Sequence, residues 1–311
     1  MSKLISVVTP TYNEQENAND VYIQVKEVFA QLPQYDYEHI FIDNASVDGT
    51  VNLLKNIAKE DKNVKIIVNS RNFHACSQHY ALLQANGDAI ITLVADLQDP
   101  PVLIKDFIQK WEQGYKIVVG IKNKSNEGRI MFGIRKIYYF LIKKIADIEQ
   151  IKNFHGFGLY DRGFIDVIRK FNDADPYFRG MVNEVGFDRA EIEYVQNERK
   201  KGRSKGRNFY TMYGVAMLGF VSHSKLPLRL ASFIGFGISA ISFIVAIVYF
   251  IYKLIDWEQF QLGFAPLIIG IFFLGSVQLF FIGVLGEYIG AIYTQVKQRS
   301  LVIEKERINF D

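Results

Sequence analysis

Short apolar runs alternate with amphipathic stretches over the first two thirds of the chain. Ile5-Ser6-Val7-Val8-Thr9, His39-Ile40-Phe41-Ile42, Val64-Lys65-Ile66-Ile67-Val68, Ala89-Ile90-Ile91-Thr92-Leu93-Val94-Ala95 and Lys116-Ile117-Val118-Val119-Gly120 read as strands. Between the first two, Glu16 to Leu32 carries apolar residues at Val21, Val25, Val28, Phe29 and Leu32, the spacing of a helix with one buried face. Thr50 to Ala58, capped by Asp48 or Thr50, and Gln78 to Ala85 are expected to be helices as well. Strands alternating with helices predict an α/β fold with a mostly parallel, doubly wound sheet. The strands end in Tyr12-Asn13-Glu14, Asp43-Asn44, Ser70-Arg71-Asn72 and Asp96-Leu97-Gln98. These polar ends should converge on one sheet edge, where open α/β folds bind ligands.

After about Lys225 the pattern changes. Leu230 to Tyr252 and Leu262 to Gly286 contain no charged residue. Each is long enough to cross a hydrocarbon core of about 30 Å as a helix. The expected organisation is a domain over 1–225, a pair of transmembrane helices within 226–295 (about 230–252 and 262–286) and a tail over 296–311. The connector Lys253 to Gln261 is short and acidic on balance, with Trp257 placed for an interface. Its outer flanks are basic, at Arg207, Lys225 and Arg229 on one side and Lys297, Arg299, Lys305 and Arg307 on the other. That bias predicts an integral protein of the inner or cytoplasmic membrane, with both termini and the large domain cytoplasmic. Arg129 to Ala146 mixes basic residues with aromatic and aliphatic ones; it reads either as an interfacial amphipathic helix or as a core helix with a solvated basic face.

Composition supports a membrane part: 49% of the 311 residues are apolar, more than a soluble core of this size needs. The single Cys76 excludes an internal disulfide and reads as a small buried residue. A net charge of +3 gives no sign of a nucleic-acid partner, although positive charge gathers in Arg199 to Arg207. The N-terminus runs straight into a strand pattern, so no cleavable signal peptide is expected.

The candidate chemistry is acidic at one end and basic at the other. Asp96, with Gln98 two residues on, suits a hard cation such as Mg²⁺ that also takes phosphate oxygens. Asp43 suits ribose hydroxyls or a base N–H. Arg199, Arg203 and Lys205, just ahead of the apolar segments, could clamp a phosphate on a donor or a lipid head; Lys200 and Lys201 read as lipid anchors. Asp99 could orient an acceptor or cap the helix that starts at Pro100. Gly235, Gly237 and Ser239 in one apolar segment, and Gly270 and Gly275 in the other, would permit close helix contact and a homo-oligomer.

These residues amount to a resemblance. Val7-Val8-Thr9-Pro10-Thr11-Tyr12-Asn13-Glu14 resembles the opening strand and turn of family-two glycosyltransferases. Ile42-Asp43-Asn44-Ala45-Ser46-Val47-Asp48-Gly49-Thr50 is similar to that family's Asp-Asp-x-Ser-x-Asp-Gly-Thr segment, with Asn44 for the second Asp. Ser70-Arg71-Asn72-Phe73 and Asp96-Leu97-Gln98-Asp99-Pro100-Pro101 resemble the polyprenyl-phosphate branch, which includes bactoprenol glucosyltransferases and dolichol-phosphate mannose synthase. Ser204-Lys205, Pro227-Leu228-Arg229-Leu230 and Gly286-Glu287-Tyr288-Ile289-Gly290 carry the likeness into the apolar part.

The resemblance implies a Rossmann-like GT-A domain, Mg²⁺ or Mn²⁺, and inverting transfer of one sugar from a nucleotide sugar to polyprenyl (undecaprenyl) phosphate for cell-envelope glycosylation. The donor would be UDP-linked: UDP-glucose, UDP-GlcNAc or similar. It implies a donor site of Pro10, Tyr12, Asn13, Glu14, Asp43, Asn44, Arg71, Asn72 and Asp96, with Asp96 and Gln98 at the metal. The catalytic set would be Asp96, Asp99 and Arg199, and the acceptor phosphate would meet Arg199, Arg203, Ser204 and Lys205. The chain departs from the branch at Val94, where a metal-side Asp is usual, and at His74, where Gly is usual. It departs again at Gly156 and Gly158, which stand for the Asp and Arg of an Asp-Phe-Arg-Leu segment. Those losses define the alternative: a non-catalytic membrane protein that binds a nucleotide sugar or lipid.

Overall fold

The computed structural model describes residues 2–123, 151–197, 226–255, 264–297 and 299–310. The expected helix at 129–146, the basic run at 199–207 and most of the connector lie outside the described residues. In chain order the elements are β1 (Lys3–Thr11), α1 (Ala18–Ala30), β2 (Tyr35–Asp43), α2 (Thr50–Glu60), β3 (Val64–Asn69), α3 (Ala75–Gln84) and β4 (Ala89–Thr92). A 3-10 turn (Pro101–Leu103) leads into α4 (Ile104–Glu112), β5 (Ile117–Lys122), β6 (Phe154–Asp161), α5 (Arg162–Arg169), α6 (Phe178–Glu184) and β7 (Arg189–Tyr194). The long helices α7 (Leu226–Ile255) and α8 (Phe264–Val296) follow, and then β8 (Glu304–Ile308).

The strands form one sheet in the order β7-β5-β6-β4-β1-β2-β3-β8. β1 pairs in parallel with β2 and β4, β2 with β3, and β5 with β7. β6 runs antiparallel to both β4 and β5, and β8 antiparallel to β3. Every strand except β6 and β8 therefore points the same way, as the alternating pattern predicts, and those ends share one edge.

Successive strand residues face opposite sides. Ile5 and Val7 of β1 join one core with Val21, Val25 and Phe29 of α1, Leu54 of α2 and Phe107 of α4. Val8 joins the other, with Ile40, Ile42, Leu82 of α3, Phe164 of α5 and Met181 of α6. Helices cover both faces of the central strands, so these are largely apolar, with Ser6, Glu38 and His39 as buried polar exceptions.

Three strands escape the sequence pattern for distinct reasons. β6 is interrupted by Gly156 and Gly158, which weaken a strand signal. β7 alternates with charged residues, and β8 is Glu-Lys-Glu-Arg-Ile, a charged edge of the kind that resists further pairing. The segment expected to be a separate tail is woven into the sheet. Ser70 N donates to Ile303 O at 2.9 Å, and Asn309 Nδ2 donates to Ala58 O and Val64 O at 2.8 Å each. The fourth strand is also shorter than expected. It leaves the sheet after Thr92, so Leu93 to Asp96 form a loop.

α7 contains the expected span 230–252, and α8 runs past Gly286 to Val296. Within α8, Phe273–Val296 is long and apolar enough to cross a membrane. Phe233, Phe236, Ile241, Phe243, Phe280 and Leu279 on these helices are exposed, a surface suited to hydrocarbon rather than water. The end of α8 touches the large domain. Gln295 Oε1 accepts from Ala174 N at 3.0 Å, and its Nε2 donates to Asn172 O at 3.1 Å.

Candidate active site at the carboxyl edge of the sheet

The loops after β1, β2, β3 and β4 each contain one non-glycine residue in the left-handed region: Asn13, Ala45, His74 and Leu97. Such backbone is costly for L-residues and gathers at functional sites. Side-chain bonds hold it here. Asn13 N donates to Ser46 Oγ at 2.7 Å, and Asn13 Oδ1 accepts from Val47 N at 2.8 Å, which locks the first two loops together. Thr50 Oγ1 accepts from Glu14 N at 2.9 Å and donates to Asp48 Oδ1 at 2.5 Å, while Asp48 Oδ1 also accepts from Thr50 N at 3.0 Å. Asp48 thus meets the start of α2.

Asp43 is 0% exposed. Its Oδ1 accepts from Ser46 N at 2.8 Å, and its Oδ2 accepts from Ser46 Oγ at 2.5 Å and Thr11 Oγ1 at 3.0 Å. The carboxylate expected to meet ribose or base is a brace for the second loop. Asn44 plays the same part for the third: its Oδ1 accepts from Asn69 Nδ2 at 3.1 Å, Phe73 N at 3.2 Å and the Ser77 hydroxyl. Asn72 Oδ1 accepts from His74 N at 2.8 Å, and the exposed Arg71 lies over the Phe73 ring at 4.1 Å. Pro10 and Tyr12 close β1 at the same edge, with Tyr12 partly exposed.

The fourth loop opens a cavity of about 370 Å³, lined by Val94, Asp96, Gln98 and Asp99 together with Lys122 from the end of β5 and His155 from the start of β6. Arg179 of α6 and His79 of α3 also line it. Asp96 Oδ1 accepts from Gln98 N at 3.1 Å across Leu97, which aims both side chains from one tight turn. Gln98 reaches the irregular segment that follows β7, with its Nε2 3.5 Å from Asn197 O.

Asp99 is buried and accepts from the Tyr194 hydroxyl. Burial raises its carboxyl pKa against the lowering effects of that bond and of Lys122. It does not cap the following turn, whose cap residue is Pro100 without a side-chain bond. Sequence reasoning missed Lys122, Arg179 and His79. A cation at the end of β5 was a readable signal, whereas the other two depend on how α3 and α6 pack. Arg199, Arg203, Ser204 and Lys205 lie outside the described residues.

The residues present fit a divalent cation of one kind. Among the described residues there is no group of three or more His, Cys, Asp or Glu side chains that would cage a metal. Val94 supplies no side-chain oxygen, so Asp96 and the Gln98 side-chain carbonyl are the candidate donors at this turn. That set suits a hard ion that keeps most of its waters and takes phosphate oxygens. Cys76 supplies no nucleophile, because burial pushes its thiol up to about 11.

Two buried imidazoles give a pH dependence. Burial lowers His39 to about 3 and His79 to about 4. Both stay neutral in the fold and gain a proton on unfolding below their ordinary value of about 6.5. The unfolded state then binds more protons, so their contribution is complete above about pH 6.5 and is lost as pH falls towards 4. Two protons give a slope approaching about 2.7 kcal/mol per pH unit near pH 5. Unfolding midpoints from pH 7 to 5 should fall accordingly, and the fall should be roughly halved in a His79→Phe variant. Identical profiles for both proteins would refute it.

Comparison with known proteins identifies the family. Residues 6–169 match glycosyl transferase family 2, and residues 227–292 match the GtrB C-terminal hairpin. The bactoprenol glucosyl transferase of Shigella phage SfII is 35% identical over 304 residues, 97% of each chain. An uncharacterized glycosyltransferase of Bacillus subtilis, YkcC, is 34% identical over 301 residues, 96% of this chain and 92% of that one. Among solved structures, glucosyl-3-phosphoglycerate synthase from Mycobacterium tuberculosis superposes with a TM-score of 0.47 at 16% identity, over 70% of this chain and 76% of that one. The chain belongs to glycosyl transferase family 2 and is a glycosyltransferase with a GT-A domain and a C-terminal hairpin of the GtrB kind.

Proposed function

We propose that this protein transfers one sugar from a UDP-linked donor to a polyprenyl phosphate, with inversion at the anomeric carbon. The observation that carries the proposal is the cavity at the carboxyl edge. Oxygen donors (Asp96, Gln98) and cations (Lys122, Arg179) line one space, in a chain that also presents two long apolar helices. The relatives named as bactoprenol glucosyl transferases support glucose as the sugar, with GlcNAc the next choice, and undecaprenyl phosphate as the acceptor.

An acceptor phosphate oxygen attacks the anomeric carbon while the bond to the donor diphosphate breaks, and the electron pair leaves with the diphosphate. The attacking oxygen is already anionic near neutral pH, so the step demands no strong general base. Lys122 and Arg179 offset charge on the two phosphate groups, and alignment of the reactants supplies much of the rate. Mg²⁺ or Mn²⁺ would be held by Asp96 with Gln98, and it supplies charge neutralisation at the departing diphosphate. The loops of Pro10, Tyr12, Asn13, Glu14, Arg71 and Asn72 form the nucleotide side, braced from behind by Asp43 and Asn44. Asp99 positions the turn through Tyr194. Arg199, Arg203, Ser204 and Lys205 are assigned to the acceptor phosphate.

Pairing of β8 with β3 favours an arrangement in which α8 ends on the side that holds the catalytic domain. With the basic flanks, that side is the cytoplasm. A Cβ at Gly235, Gly237, Gly270 or Gly275 would meet nothing within 4 Å, which leaves these faces open to a second copy of the chain.

The test uses full-length protein in detergent with undecaprenyl phosphate, Mg²⁺ or Mn²⁺, and labelled nucleotide sugars. Label should pass into the organic phase from one UDP-sugar. Nucleotide binding without transfer from any donor would favour the non-catalytic alternative, with Val94 and Gly156 as its leading causes.

A further inference from the structure

His79 is the group in the cavity that the mechanism leaves unused. It lies on α3 and is 4% exposed, yet it lines the cavity. Its Nδ1 has no hydrogen-bond partner among the described residues. The ring meets Phe178 edge-on, with centroids 6.4 Å apart. A buried polar atom left unpaired costs about 1–3 kcal/mol, so this imidazole weakens the free protein. That atom is closed off from the cavity, and it is the rest of the ring that borders the space.

The surroundings narrow the partner. The other nitrogen of a neutral imidazole is a donor or an acceptor according to the tautomer, and a hydroxyl can answer either. A fully ionised diphosphate offers only acceptors and is better met by Lys122 and Arg179 at the same cavity. Beside His79, the cavity wall holds the Gln78 amide and the rings of Phe157, Tyr177 and Phe178. Amide, imidazole and aromatic faces together match a sugar ring, which presents polar hydroxyls and an apolar C–H face. Gly156 adds room, since a Cβ there would come no nearer than 4.0 Å to Gln78 Nε2 or to Phe178.

We propose that His79, with Gln78 beside it, reads a hydroxyl of the transferred sugar and so sets which sugar the cavity accepts. The proposal rests on the reading of the protein as a nucleotide-sugar transferase and assigns the sugar subsite within it. His79 takes no part in bond breaking.

The experiment compares wild type, His79→Phe and His79→Gln as full-length proteins in detergent with Mn²⁺. It measures affinity for UDP and for a panel of UDP-sugars that includes epimers and deoxy analogues, along with transfer and melting temperature. In His79→Phe, kcat/KM for the preferred sugar should fall about 10–100-fold and preference over the matching deoxy or epimeric donor should collapse. UDP affinity should be unchanged, and the melting temperature unchanged or higher, because an unpaired polar atom is gone. His79→Gln should recover part of the preference. Unaltered sugar preference in His79→Phe, with wild type active, overturns the subsite alone. Equal weakening of UDP and UDP-sugars also overturns it, because His79 would then serve the nucleotide or the fold. A wild type that neither transfers any sugar nor separates any UDP-sugar from UDP overturns both the subsite and the transferase reading.

Discussion

Asp96→Ala removes sugar transfer, by about 10³-fold or more, and leaves the protein folded. Asp96 is the carboxylate proposed to serve the diphosphate end of the cavity. The position two residues before it, where relatives of this branch have a second Asp, is Val94 in this chain. The other carboxylate on the cavity, Asp99, is buried and already accepts from the Tyr194 hydroxyl, so the variant has no ready substitute to fall back on. The structural cost is small. Asp96 is partly exposed and accepts a short-range bond from Gln98 N at 3.1 Å. Losing such a turn bond costs about 1 kcal/mol. The measurement is initial transfer rate beside thermal unfolding of the same preparation. A variant with near wild-type rate would remove Asp96 from the mechanism.

Gly158→Arg, which restores the branch's usual residue, yields no folded protein. β6 is flanked by β4 and β5, and at Gly158 the neighbouring backbone comes very close. A Cβ there would stand 2.4 Å from Val118 O and 3.2 Å from Val119 Cα. Those are main-chain atoms of a paired strand and cannot turn aside. Even Gly158→Ala should cost about 1–3 kcal/mol. A buried guanidinium adds a desolvation penalty comparable to the 5–15 kcal/mol stability of a typical domain. Gly156→Asp is the instructive contrast. Its φ of +105° strains any L-residue by about 1–3 kcal/mol, but the space beside it is open. It should fold with a lower melting temperature. Expression, circular dichroism and thermal melts of the two variants separate these outcomes; a well-folded Gly158→Arg would show that β6 can move away from β5. The two glycines therefore differ in kind: one is demanded by strand packing, the other opens the cavity.

The pattern of the chain settled most of the local elements. Short apolar runs along β1 to β5 and helical spacing in α1 to α3 are properties of near neighbours, and burial on both sheet faces keeps the strand runs nearly continuous. Asp96-Leu97-Gln98 was legible for the same reason, because a carboxylate just beyond an apolar run lands at the edge where such strands end. The two uncharged stretches likewise announced α7 and α8.

Contacts between distant segments decided the rest. Asp43 and Asn44 look like ligand groups in the sequence, but Thr11, Asn69 and Ser77 fold round and occupy them. Asp99 looks like a cap until β7 brings Tyr194 to it. β8 is too charged to read as a strand, and only the open edge of β3 makes it one. His79 looked like one more residue of a helix. Its significance is its place in the wall of a cavity built by α3, β4, β6 and α6, and no local pattern records which residues a finished fold brings to one wall. Sequence periodicity encodes what each segment must bury, whereas pairing across the sheet and the satisfaction of polar atoms are set only when segments far apart in the chain meet.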